Sequence, residues 1–349
     1  MRIAGAASAL PRHYYPQDVL MNALKQHWTG RLPNPSSLER FFSNVSVDGR
    51  FLSYPLEKYL ELDTFGKCNA HWIKAAEELG QQAICRATAR AGVQPRDIDA
   101  LFFVSVTGVA SPSIDARLIN RMGLSPNLKR IPIFGLGCVA GAAGIARAAD
   151  YVHAFPHHVA ALVSVELCSL TLQRDDLSVA NIISAGLFGD GAACAIVAGA
   201  DCDLSGPQIL ATRSVFYPDT EDVMGWDISE KGFTIVLSAD VPKVVQENLG
   251  RDVDAFLANE GLTRGEIGSW ILHTGGPKVL EATAAALDLP EGALDASWHC
   301  LRKTGNLSSA SVLFVLEEVM MRRRPTPGTY SILAAMGPGF CAELVLLRW

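Results

Sequence analysis

The chain of 349 residues has no hydrophobic run of membrane-spanning length and no paired-cysteine motif. A membrane helix needs about 18 consecutive apolar residues, and no segment reaches that length, so no membrane span is expected. The eight cysteines are scattered without a C-x-x-C pair, and the eight histidines show no metal-ligand spacing. A metal site is therefore not predicted, and the pattern of unpaired cysteines favours a reducing, cytoplasmic location.

Basic charge is also scarce. Charged residues make up 19% of the chain, and 36 acidic against 30 basic residues give a net charge of −6. The one basic cluster, residues 322–324, is typical of the solvated end of a helix. Nucleic acid is thus not an expected partner. The apolar start MRIAGAASAL is followed at once by Pro11, which argues against a signal peptide.

Hydrophobic residues supply 49% of the chain and fall into alternating strand and helix patterns. The segments ALFFVSV (100–106) and VAALVSVE (159–166) predict buried strands. Helical periodicity covers residues 69–90 and stops at Gly92, and an Ala-rich helix is predicted over residues 138–153. This alternation predicts an α/β fold in layers.

The second part of the chain repeats the first. The segment GVQPRDIDALFFVSVTG (92–108) matches GLTRGEIGSWILHTGGP (261–277) at a separation of 169 residues, and LVSV (162–165) matches SILA (331–334) at the same separation. The loop and helix at Cys138 correspond to those at Asn306, 168 residues later. We therefore predict two related α/β halves, residues 1–200 and 201–349, packed about a pseudo-twofold axis with equivalent loops at one site.

Those loops carry three chemically useful side chains. Cys138 lies in GLGCVAG at a predicted helix start, His273 ends a strand in ILHTGGPK, and Asn306 precedes a helix in KTGNLSSAS. Cysteine, histidine and asparagine together are suited to nucleophilic acyl transfer. The helix dipole and a neighbouring imidazolium are expected to lower the pKa of the Cys138 thiol and favour the thiolate. His273 and Asn306 can both donate hydrogen bonds to a thioester oxyanion.

A different class of function competes for the same stretch. Residues 135–140, G-L-G-C-V-A, also fit the G-x-G-x-x-G/A pattern of a dinucleotide-binding loop. Glu166, at the end of the following strand, could then bind a ribose. Against this hypothesis, the preceding strand IPIF is short and contains Pro132, and His273 and Asn306 remain unexplained.

Five motifs resemble the type III polyketide synthases, the chalcone synthase-like group within the thiolase fold. They are G-C-V-A-G around Cys138, G-L-F-G-D-G-A-A (186–193), H-T-G-G-P-K (273–278), G-N-L-S-S-A (305–310) and G-P-G-F (337–340). The resemblance covers residues 70–349. It implies a thiolase-like α/β fold in which two duplicated halves form an αβαβα layered architecture.

The resemblance also implies a reaction. Cys138 would accept a starter acyl group from an acyl-CoA, while His273 and Asn306 would bind malonyl-CoA and stabilise the enolate formed on decarboxylation. Repeated Claisen condensations would extend the chain before cyclisation. No metal, no cofactor beyond coenzyme A thioesters and no obligatory carrier protein are expected, and the enzyme is expected to be a homodimer.

Further site residues follow from the resemblance by position. The implied substrate-binding residues are Phe188, Ser111, Cys168, Thr171, Ile235, Ser308, Gly337 and Pro338. Phe188 would be a gatekeeping aromatic residue, Ile235 stands where plant enzymes have Phe, and Ser111 stands where they have a Met that reaches into the partner subunit's site. Arg50 and Lys58 are candidates for binding coenzyme A, although neither lies in a matching motif.

Small and aliphatic residues at these positions favour a slot over an aromatic pocket, and VMGWDISEKGF (223–233) resembles the bacterial branch. The predicted products are therefore alkylpyrones or alkylresorcinols made from medium- or long-chain acyl-CoA. Alternatives are an initiating ketoacyl synthase that condenses once on a carrier protein, a hydroxymethylglutaryl-CoA synthase using Glu166, and a thiolase-fold scaffold without activity.

Overall fold

The computed structural model describes residues 1–31 and 35–349. Within them, no helix is both long and apolar enough to cross a membrane. The strands are β1 Arg2–Ala9, β2 His13–Pro16, β3 Gly49–Leu52, β4 Ala100–Val104, β5 Lys129–Ile133, β6 Val159–Leu167, β7 Asp190–Ala198, β8 Gln208–Phe216, β9 Met224–Ser229, β10 Gly232–Leu237, β11 Ile267–Leu272, β12 Tyr330–Gly337 and β13 Cys341–Arg348. The helices are α1 Gln17–His27, α2 Pro35–Asn44, α3 Leu56–Tyr59, α4 Phe65–Ala91, α5 Ile114–Met122, α6 Ala140–Ala154, α7 Val179–Leu187, α8 Val241–Asn259, α9 Pro277–Leu287, α10 Asp295–Thr304 and α11 Ser311–Arg322.

Nine strands form a mixed sheet in the order β11-β12-β13-β8-β1-β7-β6-β4-β5. β4 is parallel to β6, while β6–β7 and β7–β1 are antiparallel. The same directions recur on the other side, where β11 is parallel to β12 and both β12–β13 and β13–β8 are antiparallel. The two sides meet where Arg2 of β1 pairs with Gln208 of β8. The α/β topology is thus built twice, and the boundary at residue 200 stays a prediction within the connection from β7 to β8.

The two copies of the first repeated segment occupy equivalent places in the two halves, at the separation predicted from the sequence. In each half a short 3-10 turn precedes the strand, and the carboxylates of Asp97 and Glu266 each accept the backbone N–H of the residue three positions earlier. Gly92 and Gly261, 169 residues apart, both have a left-handed backbone, with φ of 74° and 71°. Glycine adopts this conformation without the steric cost of a Cβ, which explains why both halves keep it after the helix.

The two copies of the second repeated segment, in β6 and β12, are separated in the structure by a different number of residues from the one predicted. Ala160 of β6 lies opposite Ala100 of β4, and Ser331 of β12 lies opposite Ser269 of β11. The register therefore relates β6 to β12 by 171 residues, not 169. Because side chains on a strand alternate between faces, strand register gives a firmer correspondence than a short sequence match.

The same separation relates the turns that precede the central helices. The 3-10 turn Gly137–Val139 comes before α6, and the 3-10 turn Ser308–Ala310 comes before α11. The structural counterpart of Cys138 is thus Ser309, and the predicted equivalence of Cys138 with Asn306 is wrong by three residues. The predicted helix over residues 138–153 begins two residues later, since residues 137–139 form the turn.

The helices and the sheet make five layers. α4 packs on the outer face of the first half, α8 on the outer face of the second, and α6 and α11 lie between the two halves, each contacting strands of both. The central layer depends on small residues, since a Cβ on Gly141 would lie 2.3 Å from Ser309 O and one on Gly144 would lie 2.4 Å from Leu162 Cδ1. This close packing explains the Ala- and Gly-rich composition of α6.

Peripheral elements cover one end of this core. α1, α2 and α7 pack on each other, and the two-stranded sheet of β9 and β10 packs against α7. Beneath them, the residue before β7 and the last residue of α10 approach each other closely: a Cβ on Gly189 would lie 2.5 Å from Thr304 O. These elements enclose the region where the repeated loops meet.

Candidate active site

Cys138 is buried in the turn between β5 and α6. It is 6% exposed, and its Sγ lies 3.8 Å from Ser308 Oγ, which belongs to the corresponding turn of the second half. Ser308 has a left-handed backbone with φ of 47° although it is not a glycine. Such a conformation costs on the order of 1 kcal/mol and is concentrated at functional sites. The two turns therefore meet at the predicted nucleophile.

Asn306 is held rigidly two residues before Ser308. Its side-chain Oδ1 accepts hydrogen bonds from Ser308 N at 2.8 Å and from Ser311 Oγ at 3.2 Å. Its backbone N donates to Leu187 O at 2.9 Å, and its own carbonyl accepts from Gly189 N at 3.0 Å. Because both of these bonds end on Oδ1, the amide group of Asn306 is the part that interacts with Cys138, and it can also donate to a ligand.

The chain can approach so closely because Gly305 separates α10 from Asn306. A Cβ on Gly305 would lie 2.4 Å from Leu187 O, and the φ of 72° lies in the region that glycine favours. The same contact pairs Phe188 with Asn306 in an isolated parallel bridge. The predicted gatekeeper is thereby fixed beside the predicted oxyanion donor.

His273 follows β11 and is buried. Its backbone N donates to Ala334 O at 3.0 Å. Both ring nitrogens lack a hydrogen-bond partner among the described residues, although buried polar groups are normally paired. Burial lowers the pKa of the His273 imidazole to about 4, so the ring is neutral near pH 7. A neutral ring with two unused nitrogens can both donate and accept.

The predicted thiolate at Cys138 is wrong for this state of the chain. Burial raises the pKa of the Cys138 thiol to about 12, the nearby Glu166 carboxylate raises it further, and hydrogen bonds with Ser308 and Asn306 offset only part of this. The expected imidazolium is missing because His273 is neutral. Loss of solvation is the largest influence on the pKa of this thiol, so the thiol must give up its proton as it reacts.

Glu166 is the centre of a buried polar cluster that the sequence reasoning did not identify. Its carboxylate accepts from Thr107 Oγ1 at 2.9 Å, from Val106 N at 3.1 Å and from the hydroxyl of Ser309. Burial raises the pKa of the Glu166 carboxyl to about 7, which these bonds only partly counter. Glu166 was considered only as a ribose ligand or a catalytic acid, because no local pattern links it to Ser309.

Four of the predicted substrate-binding residues line one cavity of about 160 Å³. They are Phe188, Cys168, Thr171 and Ile235. Leucines from α1, β3, α3 and the segments that follow α3 and β6 supply much of the apolar wall, which also includes Arg50, Arg174 and Asn181. The sequence reasoning missed these leucines, which are Leu20, Leu24, Leu52, Leu56, Leu60 and Leu172. An apolar slot extends from the gatekeeper toward α1.

Three other predicted positions lie elsewhere. Ser111 is exposed on the loop after β4, away from this cavity. Gly337 and Pro338 pack directly on the turn of Cys138, since a Cβ on Gly337 would lie 2.6 Å from Val139 N and one on Gly137 would lie 2.7 Å from Pro338 Cγ. The glycine-proline turn thus supports the predicted nucleophile.

The predicted role of Arg50 in binding coenzyme A conflicts with its placement. Arg50 is 4% exposed, and its Nη1 donates to Ala185 O at 2.5 Å and to Phe188 O at 2.8 Å. Burial lowers its pKa to about 10 despite the opposite charge of Asp190. The guanidinium therefore anchors the end of α7 inside the protein. Lys58 is half-buried on α3 and forms an ion pair with Glu61, and its predicted role stays untested.

Comparison with known proteins assigns the family. The model of the N-terminal domain of chalcone and stilbene synthases matches residues 62–202, and that of the C-terminal domain matches residues 208–349. The chain is 49% identical, over 99% of its length and 93% of the relative's, to a 1,3,6,8-tetrahydroxynaphthalene synthase of Streptomyces peucetius subsp. caesius. A putative chalcone synthase of Bacillus subtilis is 34% identical over 99% of this chain and 98% of its own length.

Among solved structures, 1,3,6,8-tetrahydroxynaphthalene synthase of Streptomyces coelicolor A3(2), a bacterial type III polyketide synthase, superposes with a TM-score of 0.95. It is 32% identical, over 100% of this chain and 99% of its own. The chain belongs to the type III polyketide synthases. The predicted thiolase-like fold and acyltransferase activity are confirmed, and enzymes of this family use coenzyme A thioesters without a further cofactor. The dinucleotide hypothesis for the loop of Cys138 is not supported.

Proposed function

We propose that this type III polyketide synthase loads its starter acyl group on Cys138. The sulfur attacks the carbonyl carbon of the acyl-CoA and gives its proton to the neutral His273 ring, whose nitrogens have no hydrogen-bond partner before substrate binds. The bond from that carbon to the sulfur of coenzyme A then breaks, and the leaving thiolate recovers the proton. A thiol whose pKa is raised to about 12 and an imidazole whose pKa is lowered to about 4 make proton transfer simultaneous with attack the reasonable route.

In the extension step, malonyl-CoA loses CO₂ and the resulting enolate attacks the acyl group on Cys138. The enolate oxygen would accept hydrogen bonds from the His273 ring and the Asn306 amide, which are held in a buried site where such bonds are strong. The Asn306 oxygen is already occupied by two donors, so its amide nitrogen is left to face a substrate. The carbon–sulfur bond to Cys138 then breaks, the released Cys138 thiolate takes up a proton from water, and the extended chain leaves on coenzyme A.

One observation carries this proposal: the turns of the two halves meet, with Cys138 Sγ 3.8 Å from Ser308 Oγ and Asn306 two residues away. The nucleophile comes from one half and the oxyanion donor from the other. If only one half carried catalytic residues, catalysis would not require contact between the two turns.

The apolar cavity supports a medium- or long-chain acyl-CoA starter, which would give alkylpyrones or alkylresorcinols. Its leucine-rich wall extends from Phe188 toward α1 and offers an alkyl chain a place away from water. Burial of each methylene contributes about 0.8 kcal/mol, so such a slot would select by chain length.

The similarity to 1,3,6,8-tetrahydroxynaphthalene synthase favours a second candidate product. A tetrahydroxynaphthalene carries no alkyl side chain, so this alternative would not use the slot for an alkyl starter. An alkyl-bearing product therefore requires the cavity to hold an acyl chain, whereas tetrahydroxynaphthalene does not.

A direct assay separates them. The purified enzyme would be incubated with ¹³C-malonyl-CoA alone and with octanoyl-, lauroyl- or palmitoyl-CoA, and the products identified by mass spectrometry. Alkyl-bearing products that Thr171→Trp shifts to shorter starters would support the slot. A tetrahydroxynaphthalene from malonyl-CoA alone, with no alkyl product, would reject the fatty starter. A single condensation that needs a carrier protein would indicate the ketoacyl synthase alternative.

We also propose a homodimer, as is typical of the family, with the exposed loop of Ser111 directed to the partner. Ultracentrifugation at several concentrations tests this assembly. A monomer that condenses malonyl-CoA at full rate would contradict it.

A further inference from the structure

A buried tyrosine–aspartate pair lies on the far side of the turn that supports Cys138. Tyr217 follows β8 and donates its hydroxyl to Asp252 Oδ2 on α8 at 2.6 Å. Both side chains are 7% exposed. The second oxygen of Asp252 accepts from Arg251 Nε at 2.9 Å, so the carboxylate is fixed from two sides. Neither residue lines a cavity beside Cys138, and the proposed reaction assigns them no part.

Tyr217 holds the last residue of the glycine-proline turn. Its backbone N donates to Phe340 O at 3.0 Å, and its ring centroid lies 6.0 Å from that of Phe340. Phe340 is 1% exposed and closes the turn before β13. Tyr217 therefore contacts the turn through both its backbone and its ring, and Asp252 fixes the direction of that ring.

The other side of the same turn touches the residues on either side of the nucleophile. Val139 N and Leu136 O lie 2.6 Å and 2.8 Å from the position that a Cβ on Gly337 would occupy, and Pro338 fills the space beside Gly137. The turn is therefore closely packed against the backbone around Cys138. A displacement of the turn must therefore displace the sulfur, and a misplacement of 1 Å costs on the order of a hundredfold in rate.

We propose that Tyr217, oriented by Asp252, is a positioning residue for Cys138. The pair fixes the turn from behind, and the turn fixes the sulfur at its distance from Ser308. This inference rests on the proposed role of Cys138 as the nucleophile. It assigns to α8, an outer helix of the second half, a part in the chemistry of the first half.

The test compares Tyr217→Phe and Asp252→Asn with the wild-type enzyme. Removing the hydroxyl should lower kcat for condensation about tenfold with the starter KM unchanged, because the sulfur is misplaced while the starter cavity is intact. Asp252→Asn keeps a neutral acceptor and a weaker hydrogen bond, so its loss should be smaller, about threefold. The rate at which iodoacetamide alkylates Cys138 should differ from the wild-type rate, more for Tyr217→Phe than for Asp252→Asn. The rate of malonyl-CoA decarboxylation should stay within about twofold of the wild-type rate.

Tyr151→Phe is the matched control, since that hydroxyl is bonded to His158 Nδ1 at 2.7 Å near the far end of α6. It should leave kcat and the alkylation rate unchanged. A folded Tyr217→Phe with reduced stability but wild-type kcat and alkylation would overturn the proposal. If that variant does not fold, the milder Asp252→Asn decides by the same readouts. Alkylation needs no substrate, so it tests the positioning role even if the wild-type enzyme makes no polyketide.

Discussion

The two halves place chemically different side chains at the same point of the repeated fold. The turn Gly137–Val139 of the first half carries a thiol, whereas the turn Ser308–Ala310 of the second carries the hydroxyl of Ser309 at the corresponding position. Cys138 faces the site, while Ser309 donates into the interior to Glu166. Under the proposed function, the turn of the first half carries the reactive group and the turn of the second half has a structural role.

The strand that faces each turn differs in a matching way. Gly337 at the end of β12 packs on the turn of Cys138, and Glu166 near the end of β6 binds the turn of Ser309. By strand register these two residues are counterparts, because Ala160 corresponds to Ser331. Each half therefore supports the turn of the other. Gly337 leaves Cys138 without a polar side chain on that side, and the carboxyl group of Glu166 fixes the turn of Ser309.

The sharpest test of this difference removes the thiol. Cys138→Ala should abolish polyketide formation, a loss on the order of a thousandfold or more, yet leave malonyl-CoA decarboxylation measurable because His273 and Asn306 remain. The assay follows radiolabelled CO₂ release and product formation together. Ser309→Ala should keep both activities at a reduced level. Equal losses for the two variants would remove the distinction between a reactive and a structural turn.

The next test enlarges the residue that packs on the turn of Cys138. Gly337→Ala places a Cβ 2.6 Å from Val139 N, so the turn of Cys138 must move. We expect about a hundredfold lower condensation rate and a loss of about 1–3 kcal/mol in the free energy of unfolding. Gly66→Ala on α4 is the control, because a Cβ there has no neighbour within 4 Å. Full activity of Gly337→Ala would show that the turn does not restrain the nucleophile.

Much of this arrangement was predictable from local patterns. The helix ending at Gly92 and the strands β4 and β6 follow from periodicity and from glycine chemistry, and the repeat itself predicted that the loops of Cys138 and Asn306 would meet. Long segments with strong periodicity carry such information because each residue's burial follows its position in the element.

The errors have physical causes that a sequence does not display. The separation of the second repeat is set by strand register, which depends on hydrogen bonds between distant segments. The thiolate prediction for Cys138 weighed the helix dipole without knowing the depth of burial, and the coenzyme A role of Arg50 followed from its charge, which does not indicate that the side chain is buried and bonded inside the protein. The Glu166–Ser309 contact joins residues of different halves and has no sequence signal.

The carboxylate that supports the structural turn should make stability depend on pH. The pKa of Glu166 is raised from 4.5 to about 7 in the folded state, so its favourable contribution is complete below pH 4.5 and is lost as pH rises through 7. Between pH 5 and pH 7 this amounts to about 2 kcal/mol. Glu166→Gln should remove this one contribution, so the variant's change in the free energy of unfolding between pH 5 and pH 7, measured with urea, should differ from that of the wild-type enzyme by about this amount. An unchanged slope would mean that Glu166 titrates equally in both states.

His273 should make the free energy of unfolding depend on pH in the opposite direction. The pKa of His273 is lowered from 6.5 to about 4 in the folded state, so its contribution is complete above pH 6.5 and is lost as pH falls toward 4, again about 2 kcal/mol between pH 7 and pH 5. The slopes of His273 and Glu166 therefore largely cancel in the wild-type enzyme over this range. His273→Gln should expose the Glu166 slope and make the protein relatively more stable at pH 5, whereas Glu166→Gln should do the reverse. If both variants shifted stability in the same direction, the two buried groups could not have opposite preferences for the proton.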